Sequence, residues 1–400
     1  MVSQTQQQAI QQEENVCAHN YHPLPVVLAR GRGSWLWDID GNKYLDMMSA
    51  YSAVSHGHSH PRLLEALTKQ AQQLAIPSRA FYNDKLGPFL EKICQISGLD
   101  MALPMNTGAE AVETAIKAAR RWGYEVKNIP EGQAEIIVAE NNFHGRTTTI
   151  IGFSTDDDAR KSFGPFTPGF KNVPFGDALA LEAAITPNTC AFLVEPIQGE
   201  AGIILPPEGW LKEVRRICTQ NNVLLVLDEI QSGLGRTGKM FAHQHEAIKP
   251  DVLILGKALG GGMMPVSCIV AHKKVMALFN PGSHGSTFGG NPLAAAVGFE
   301  ALEVLEAEGL VERSAELGAY LVEKLKALNH PVLKSVRGRG LWVGVDIESN
   351  EFTAHGLCQK LLQRGVLAKE TQKKTIRLAP PLVITREEID WAINQLEACL

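Results

Sequence analysis

The stretch VLLVLD at Val223–Asp228 is a short apolar run that ends in an acid. Such a run predicts a strand buried on both faces of a sheet. Further runs of this kind are EIIVA at Glu135–Ala139, AFLVE at Ala191–Glu195, VLIL at Val252–Leu255 and CIVA at Cys268–Ala271. Helical patterns, such as those at Pro61–Ala75 and Ala109–Tyr124, alternate with these runs. We therefore expect an α/β fold whose mostly parallel, mixed sheet lies between helices.

The two ends of the chain show other patterns. Gly33–Asp46 alternates apolar and polar residues around Asp40-Gly41, which predicts a hairpin with a tight turn. A long helical stretch, Leu293–Leu328, precedes a mixed tail in which Leu341–Ile347 and Thr375–Leu378 resemble strands and Ala354–Arg364 resembles a helix. We expect a smaller α+β domain at 301–400, joined by the N-terminal segment 1–50. Residues 51–300 would form the large domain, and the Gln-rich start is expected to be mobile.

Composition excludes several classes of protein. The 400 residues carry a formal net charge of −5 and no sustained basic face, which argues against nucleic acid or a membrane surface as partner. Seven scattered cysteines, none spaced C-x-x-C, argue against a disulfide framework and fit a reducing compartment. The start of the chain resembles neither a secretory signal nor a transit peptide, and no apolar run has membrane length. We expect a cytoplasmic protein.

Lys257 lies between a predicted buried strand and three glycines, Gly260–Gly262, in LILGKALGGG. A lysine in such surroundings has its charged form disfavoured, so its amine can act as a nucleophile. The glycines would let a planar ligand lie close to the backbone. A strand-end lysine that reaches solvent is the alternative, and this segment alone favours it.

Asp228 strengthens the chemical interpretation. It ends one predicted strand and Glu195 ends another, and ligands of parallel sheets bind at the carboxyl ends of strands. Asp228, Glu195 and Lys257 are therefore expected to face one crevice, where a carboxylate can keep a pyridine nitrogen protonated. A nucleotide hydrolase is the rival, because Gly233–Lys239 reads GLGRTGK. This string matches the nucleotide-binding phosphate loop G-x-x-x-x-G-K, but Met240 stands where that loop needs Ser or Thr. We therefore disfavour the nucleotide hydrolase.

A phosphate site is predicted where Asn106–Glu110 opens a helix. Thr107 and Glu110 have the spacing of a capping box, and the free N–H groups at Gly108 and Ala109 suit a phosphate. A capped helix without a ligand is the common alternative. The hydroxyls of Ser286 and Thr287, flanked by glycines, are a second candidate.

Two further groups of residues are ambiguous in isolation. Phe143 could stack on a planar ring and Arg146 could pair with a carboxylate, or they could be ordinary core and surface residues. The histidines of SHGHSHP, which are His56, His58 and His60, fit a turn into a helix better than a metal site. We expect no metal there, nor at the pair His243 and His245.

As a set, the motifs resemble the class III, fold type I aminotransferases that use pyridoxal phosphate. The matching segments, in family order from Gly57 to Pro292, are GHSHP, NTGAEAVETAIKAAR, FHGRT, EPIQGEAG, LDEIQSGLGRTGK, LGKALGGG and STFGGNP. The resemblance implies that Lys257 carries the cofactor and shuttles a proton, while Asp228 pairs with the pyridine nitrogen. It also implies cofactor contacts from Gln231 to the ring hydroxyl, from Phe143 to the ring face, from Gly108 and Ala109 to the phosphate, and from Ser286 and Thr287 of a neighbouring subunit. The protein would then be at least a homodimer.

Within this family the chain is most similar to the ornithine aminotransferase branch, through HNYHPLPV from His19, SAYSAV from Ser49 and RLAPPL from Arg377. That similarity implies δ-transamination of L-ornithine with 2-oxoglutarate. Tyr21 and Arg146 would hold the α-amino acid end of ornithine, and Tyr51 would select against shorter ω-amino acids. Arg377 would bind the 2-oxoglutarate carboxylate when Glu200 releases it. The alternative is an acetylornithine or other ω-amino acid aminotransferase, because FHGRT occurs there too.

Overall fold

The computed structural model describes residues 3–400, in which a seven-stranded sheet and two four-stranded sheets pack against helices. The strands are β1 (Leu28–Arg32), β2 (Trp35–Asp38), β3 (Lys43–Asp46), β4 (Met101–Met105), β5 (Glu135–Ala139), β6 (Phe170–Val173), β7 (Thr189–Val194), β8 (Leu224–Asp228), β9 (Val252–Leu255), β10 (Ser267–Ala271), β11 (Leu333–Gly338), β12 (Val343–Ile347), β13 (Val366–Leu367), β14 (Lys369–Thr371) and β15 (Thr375–Leu378).

Helices of very different length connect these strands. They are α1 (Gln4–Val16), α2 (Ser49–Ser52), α3 (Pro61–Gln73), α4 (Leu86–Ser97), α5 (Gly108–Glu125), α6 (Thr148–Gly152), α7 (Asp157–Arg160), α8 (Ala178–Ala184), α9 (Trp210–Gln220), α10 (Lys273–Met276), α11 (Pro292–Ala307), α12 (Leu310–Ala327), α13 (Ala354–Gln363) and α14 (Arg386–Glu397), with short 3₁₀ helices at Ala242–Glu246 and Lys257–Gly260. In residues 3–400, no helix has the length and apolar character needed to cross a membrane.

The central sheet has the order β4-β10-β9-β8-β7-β5-β6, and only β10 runs against its neighbours. Its strands are apolar on both faces because side chains alternate between two cores. Val226 packs in one core with residues of α5, whereas Leu225 and Leu227 pack in the other with residues of α9 and α11. The predicted α/β fold with a mixed sheet between helices is confirmed.

The two ends of the chain meet in a second sheet. β2 and β3 form the predicted antiparallel hairpin, and β13 pairs in parallel with β3 through Val366–Leu45 and Leu367–Asp46. The third sheet, β11-β12-β15-β14, is antiparallel and comes from the C-terminal quarter. A smaller α+β region is therefore present, while the domain limits 1–50, 51–300 and 301–400 stay a prediction.

Two expectations about helices are wrong. The Gln-rich start is not a mobile tip between Gln4 and Val16, because it forms α1; Met1 and Val2 lie outside the described residues. The buried Gln6 anchors this helix, since its side-chain amide donates to Asp38 at 3.1 Å and to Asp40 at 2.7 Å. The long helical stretch Leu293–Leu328 is two helices, separated where Gly309 adopts a left-handed φ of 59°.

Candidate active site

A cavity of about 130 Å³ lies at the carboxyl ends of β7 and β8, beside the start of α5. Sheet geometry brings Glu195, Asp228 and Lys257 to this one cavity, as expected for strand ends at a common edge. Other residues lining it are Gly108, Ala109, Phe143, His144, Gly145, Ile197, Ile230, Gln231 and Ser232. Six of the predicted cofactor residues are therefore in one place.

Lys257 follows β9 at the start of a 3₁₀ helix and has a left-handed φ of 46°. The protein encloses its amine, and this desolvation lowers the pKa of Lys257 despite the opposing charges of Glu200 and Asp228. A lowered pKa increases the neutral fraction of the amine, which is the form that attacks a carbonyl carbon.

Asp228 ends β8 and is held in position from both of its oxygens. One oxygen accepts the Ile230 N–H at 3.0 Å, and the other lies 2.7 Å from Nδ1 of the buried His144. Burial alone would lower the pKa of His144, but the hydrogen bond to Asp228 and the charges of Asp228 and Glu195 raise it. The imidazole thus orients the carboxylate, while its buried Nε2 has no hydrogen-bond partner within residues 3–400.

Glu195 is a further buried ionisable group at the cavity. Its carboxylate accepts the backbone N–H of Phe143 at 3.0 Å and that of Gly199 at 3.2 Å. Burial raises the pKa of Glu195 to about 7, although the nearby His144 lowers it in part. The side chain therefore fixes the loop that carries Phe143.

The start of α5 has the capping box that the sequence predicts. Thr107 accepts the Glu110 N–H at 3.2 Å, and Glu110 accepts the Thr107 N–H at 2.7 Å. Helix geometry leaves the N–H groups of Gly108 and Ala109 without intrahelical acceptors, and both residues line the cavity. A Cβ at Gly108 would lie 3.0 Å from the Ile230 side chain, so glycine keeps this end open.

A second cavity of about 510 Å³ adjoins the first and shares Phe143, His144 and Gly145 with it. Arg146 and Glu200 also line it. Glu200 forms an ion pair with Arg377 of β15, and the Arg377 guanidinium carbon lies 5.1 Å from the centre of the Tyr51 ring. The predicted substrate residues Tyr51, Glu200 and Arg377 are thus adjacent.

Tyr51 lies on α2, which is one left-handed helical turn. The φ angles of Ser49, Ala50, Tyr51 and Ser52 are 43°, 46°, 58° and 74°. This conformation costs an L-residue about 1–2 kcal/mol. Asp46 stabilises the turn by accepting the Met48 and Ser49 N–H groups at 2.8 and 2.9 Å. Burial raises the pKa of Tyr51, and Arg377, Glu200 and the exposed Tyr21 are close enough to affect it.

Ser286 and Thr287 do not reach the Lys257 cavity of their own chain. They line a surface groove with Ile76–Arg79, and the Ser286 hydroxyl accepts a hydrogen bond from the Asn106 side chain at 2.8 Å. This position leaves their predicted contact with a neighbouring subunit as a prediction.

The two rival motifs are explained by ordinary contacts. The GLGRTGK segment leads to a short 3₁₀ helix rather than an α-helix, and its Arg236 side chain is fully buried, so the phosphate-loop interpretation is wrong. His56, His58 and His60 contact the Ala301 carbonyl, Asp46 and Glu308, which are three separate partners. His243 contacts Glu229, and His245 contacts Thr237.

Sequence reasoning misses one polar residue of the site and one residue that supports it. Nothing in FHGRT indicates that the ring of His144 reaches Asp228, which is 84 positions away. Nothing in GLGRTGK indicates that Arg236 contacts Ser49 and Pro380, which lie near the two ends of the chain. Both pairings are long-range contacts that no local pattern encodes.

A family model described as aminotransferase class-III matches residues 16–400. The ornithine aminotransferase of Brevibacillus brevis is 58% identical over 391 residues, which cover 98% of this chain and 97% of that protein. An ornithine aminotransferase structure from Toxoplasma gondii, described with partial occupancy of PLP at its active site, has a TM-score of 0.97 at 44% identity and covers 98% of this chain and 93% of its own. An acetylornithine aminotransferase from Elizabethkingia anophelis has a TM-score of 0.90 at 48% identity and covers 98% of both chains. The chain therefore belongs to the class-III aminotransferases.

Proposed function

We propose that this protein is a pyridoxal-phosphate-dependent ornithine aminotransferase. It moves the δ-amino group of L-ornithine to 2-oxoglutarate and forms glutamate 5-semialdehyde and glutamate in two alternating half-reactions. The family and its ornithine-specific relatives support the reaction. The ion pair between Glu200 and Arg377, beside Lys257, is the observation that supports ornithine as the amino-group donor.

The residues of the Lys257 cavity fit the cofactor. An amine with a lowered pKa, a buried carboxylate and two free N–H groups at a helix start match an aldehyde, a pyridine nitrogen and a phosphate. When bound, pyridoxal phosphate supplies an electrophilic carbon and a ring that accepts the electrons released beside the reacting amine. Gln231 and Phe143 line the same cavity and would contact the ring hydroxyl and the ring face.

Three groups of the chain act directly on this chemistry. Lys257 would hold the cofactor, and its amine would move the proton at the reacting carbon. Asp228 keeps the ring nitrogen protonated, and His144 orients the Asp228 carboxylate through its 2.7 Å contact. Gly108 and Ala109 bind the phosphate through their N–H groups at the positive end of α5.

Selectivity depends on which carboxylate Arg377 can reach. While Glu200 is paired with Arg377, the α-carboxylate of ornithine binds instead to Arg146, with Tyr21 beside it, and the distal amine points to Lys257. When 2-oxoglutarate arrives, Glu200 moves away and Arg377 pairs with the α-carboxylate. Tyr51, 5.1 Å from the Arg377 guanidinium carbon, sets the length of donor that fits.

A visible absorption spectrum of the purified protein tests the donor. We expect the band of the bound cofactor to bleach on addition of L-ornithine and to recover with 2-oxoglutarate. Lys257→Ala should abolish turnover, because it removes the amine that holds the cofactor and moves the proton. Bleaching by 4-aminobutyrate but not by ornithine would refute the assignment.

The nearest rival, an acetylornithine aminotransferase, is favoured by the 48% identity to one such structure. N-acetylornithine keeps the α-carboxylate that Arg146 would bind but lacks the free α-amine, which would lie beside Tyr21. We expect kcat/KM for ornithine to exceed that for N-acetylornithine at least about tenfold, and Tyr21→Phe to lower it. A preference for N-acetylornithine with no effect of Tyr21→Phe would establish the rival.

The proposal includes a homodimer in the cytoplasm. Ser286 and Thr287 lie at the surface, apart from their own Lys257 cavity, which suits a contact with the cofactor phosphate of a second subunit. The seven cysteines are all free, which suits a reducing compartment. Thr287→Ala should weaken cofactor binding, measured by titrating the apoprotein.

A further inference from the structure

The side chain of Arg236 connects the two segments that present the predicted specificity residues. Its residue exposure is 0%, yet no carboxylate within residues 3–400 forms an ion pair with it. Its four hydrogen bonds go to the Leu341 carbonyl at 2.8 Å, the Pro380 carbonyl at 2.6 Å, the Ser49 hydroxyl at 3.1 Å and the Ser55 hydroxyl at 2.9 Å.

One side of this guanidinium holds the left-handed turn of α2. Ser49 begins the turn, and the Ser55 hydroxyl donates to the Ser52 carbonyl, at its end, at 2.9 Å. Arg236 therefore holds the first residue of the four-residue segment that carries Tyr51 directly, and it holds the last residue indirectly, through Ser55. Four consecutive non-glycine residues at positive φ need such external support, because each is disfavoured in this conformation.

The other side of the guanidinium holds the chain that follows β15. Arg236 donates to Pro380, and the Ser49 hydroxyl donates to the neighbouring Ala379 carbonyl at 2.6 Å. Arg377 lies only two residues before Ala379. The turn that carries Tyr51 and the segment that follows Arg377 are thus both hydrogen-bonded to Arg236.

Burial of a guanidinium that no carboxylate contacts is unfavourable, and it lowers the pKa of Arg236 to about 9, although the negative charge of Asp46 opposes this shift. A site that needed only packing would be filled at lower cost by an apolar side chain. The rigid planar fork of arginine, however, can bind four acceptors in fixed directions.

We propose that Arg236 is a positioning residue for substrate selectivity, which fixes the Tyr51 ring relative to the Arg377 guanidinium. The inference rests on the function proposed above, because it concerns the choice between ornithine and shorter ω-amino acids. Loosening of the Arg236 contacts lets the turn relax, so the Tyr51 ring no longer excludes the shorter donors.

The double variant Ser49→Ala/Ser55→Ala tests this role without removing the guanidinium. The quantity measured is the ratio of kcat/KM for ornithine to kcat/KM for 4-aminobutyrate. We expect this ratio to fall about tenfold in the double variant. Hydrogen exchange of the Ala53 and Val54 amides, which donate to Ala50 and Ser49 of the turn, should also become faster.

Ser314→Ala is the matched control. Its buried hydroxyl donates to the main-chain carbonyl of Arg236 at 3.0 Å and does not touch the guanidinium. It should lower the melting temperature while leaving both the ratio and the exchange of the turn unchanged. Arg236→Lys, which keeps a positive charge but lacks the fork, should change the ratio in the same direction as the double variant.

Coupling to Tyr51 separates positioning from general loss of stability. In a Tyr51→Ala background, Ser49→Ala/Ser55→Ala should change the ratio less than about twofold, because the ring that is positioned is gone. An unchanged ratio in the double variant, with only a lower melting temperature, would overturn the role of Arg236. A wild-type protein that prefers 4-aminobutyrate would instead overturn the proposed function.

Discussion

The cofactor side and the substrate side of this site are assembled from different kinds of structure. Gly108, Asp228 and Lys257 each follow or begin a regular element of the large sheet region. Tyr51, Glu200 and Arg377 come from a left-handed turn, a loop and the C-terminal sheet, and hydrogen bonds between loops hold them together. In the proposed function, the reaction chemistry would depend on the carboxyl ends of the central strands, whereas substrate choice would depend on how the two ends of the chain meet. Substitutions on the two sides should therefore have separable effects.

The largest expected effect is on the cofactor side, at Asp228. Asp228→Asn keeps the shape but removes the charge that holds a proton on the ring nitrogen, so kcat should fall about 10³-fold with either substrate. Steady-state kinetics at saturating cofactor would measure this. Asp251→Asn is the control, because Asp251 lies just before β9, at the amino end of that strand, whereas Asp228 lies at the carboxyl end of β8. A loss below tenfold at Asp228 would contradict its role.

The next effect separates the two half-reactions. Arg377→Met removes the bidentate partner of the 2-oxoglutarate carboxylate, so KM for 2-oxoglutarate should rise about 100-fold. The ornithine half-reaction, followed by rapid-mixing absorbance, should change much less because Glu200 already masks Arg377 at that stage. Arg215→Met, which breaks an ion pair distant from both cavities, is the control. Equal losses in both half-reactions would remove the distinction between the two states of Arg377.

A smaller effect concerns pH and the Glu195 carboxyl. Burial raises its pKa from 4.5 to about 7, so the folded apoprotein keeps a proton that the unfolded chain releases. The stability contributed by this group is complete below about pH 4.5 and is lost as pH rises through about 7. Between pH 5 and 8, wild type should lose about 2.5 kcal/mol of unfolding free energy relative to Glu195→Gln. Urea unfolding of both apoproteins measures this, and parallel pH curves would contradict it.

The smallest effect is expected at the N-terminal helix. Gln6→Ala removes bonds to Asp38 and Asp40 and the acceptor of the Val27 N–H, so unfolding free energy should fall by about 1–2 kcal/mol. Because α1 precedes the segment of Tyr21, KM for ornithine should rise about twofold to threefold. Gln11→Ala on the exposed face of α1 should change neither quantity. An unchanged KM would show that α1 does not restrain Tyr21.

The central strands could be predicted because burial on both faces makes them uniformly apolar. Predicted and observed bounds agree at Glu135–Ala139 and Val252–Leu255. The two strands of this sheet that the sequence did not predict, β4 and β6, are its edges. β4 contains Pro104, which an edge strand tolerates because it needs fewer N–H donors, and half of β6 is polar. The proline in β4 and the polar residues in β6 are therefore the reasons why these two edge strands were not identified.

The residues of the site could be predicted where they lie at or just after the end of a strand. Lys257, Asp228 and Glu195 followed from the rule that ligands bind at the carboxyl ends of parallel strands. The contacts of His144 with Asp228 and of Arg236 with Ser49 depend on packing between segments far apart in sequence. The left-handed φ of Tyr51 could not be predicted from the sequence either, because neither alanine nor tyrosine, the residues at positions 50 and 51, favours that conformation.

The parallel pairing of β13 with β3 has a consequence for synthesis of the chain. Leu45 and Asp46 find their partners Val366 and Leu367 only about 320 residues later, which at about 5–20 residues per second is a delay of roughly 15–60 s on the ribosome. Until then, the hairpin exposes the unpaired backbone of β3, and the hydrogen bond from Arg236 to the Pro380 carbonyl cannot form. We therefore expect a nascent chain truncated before β13 to bind chaperones, with the substrate side of the site formed only after release.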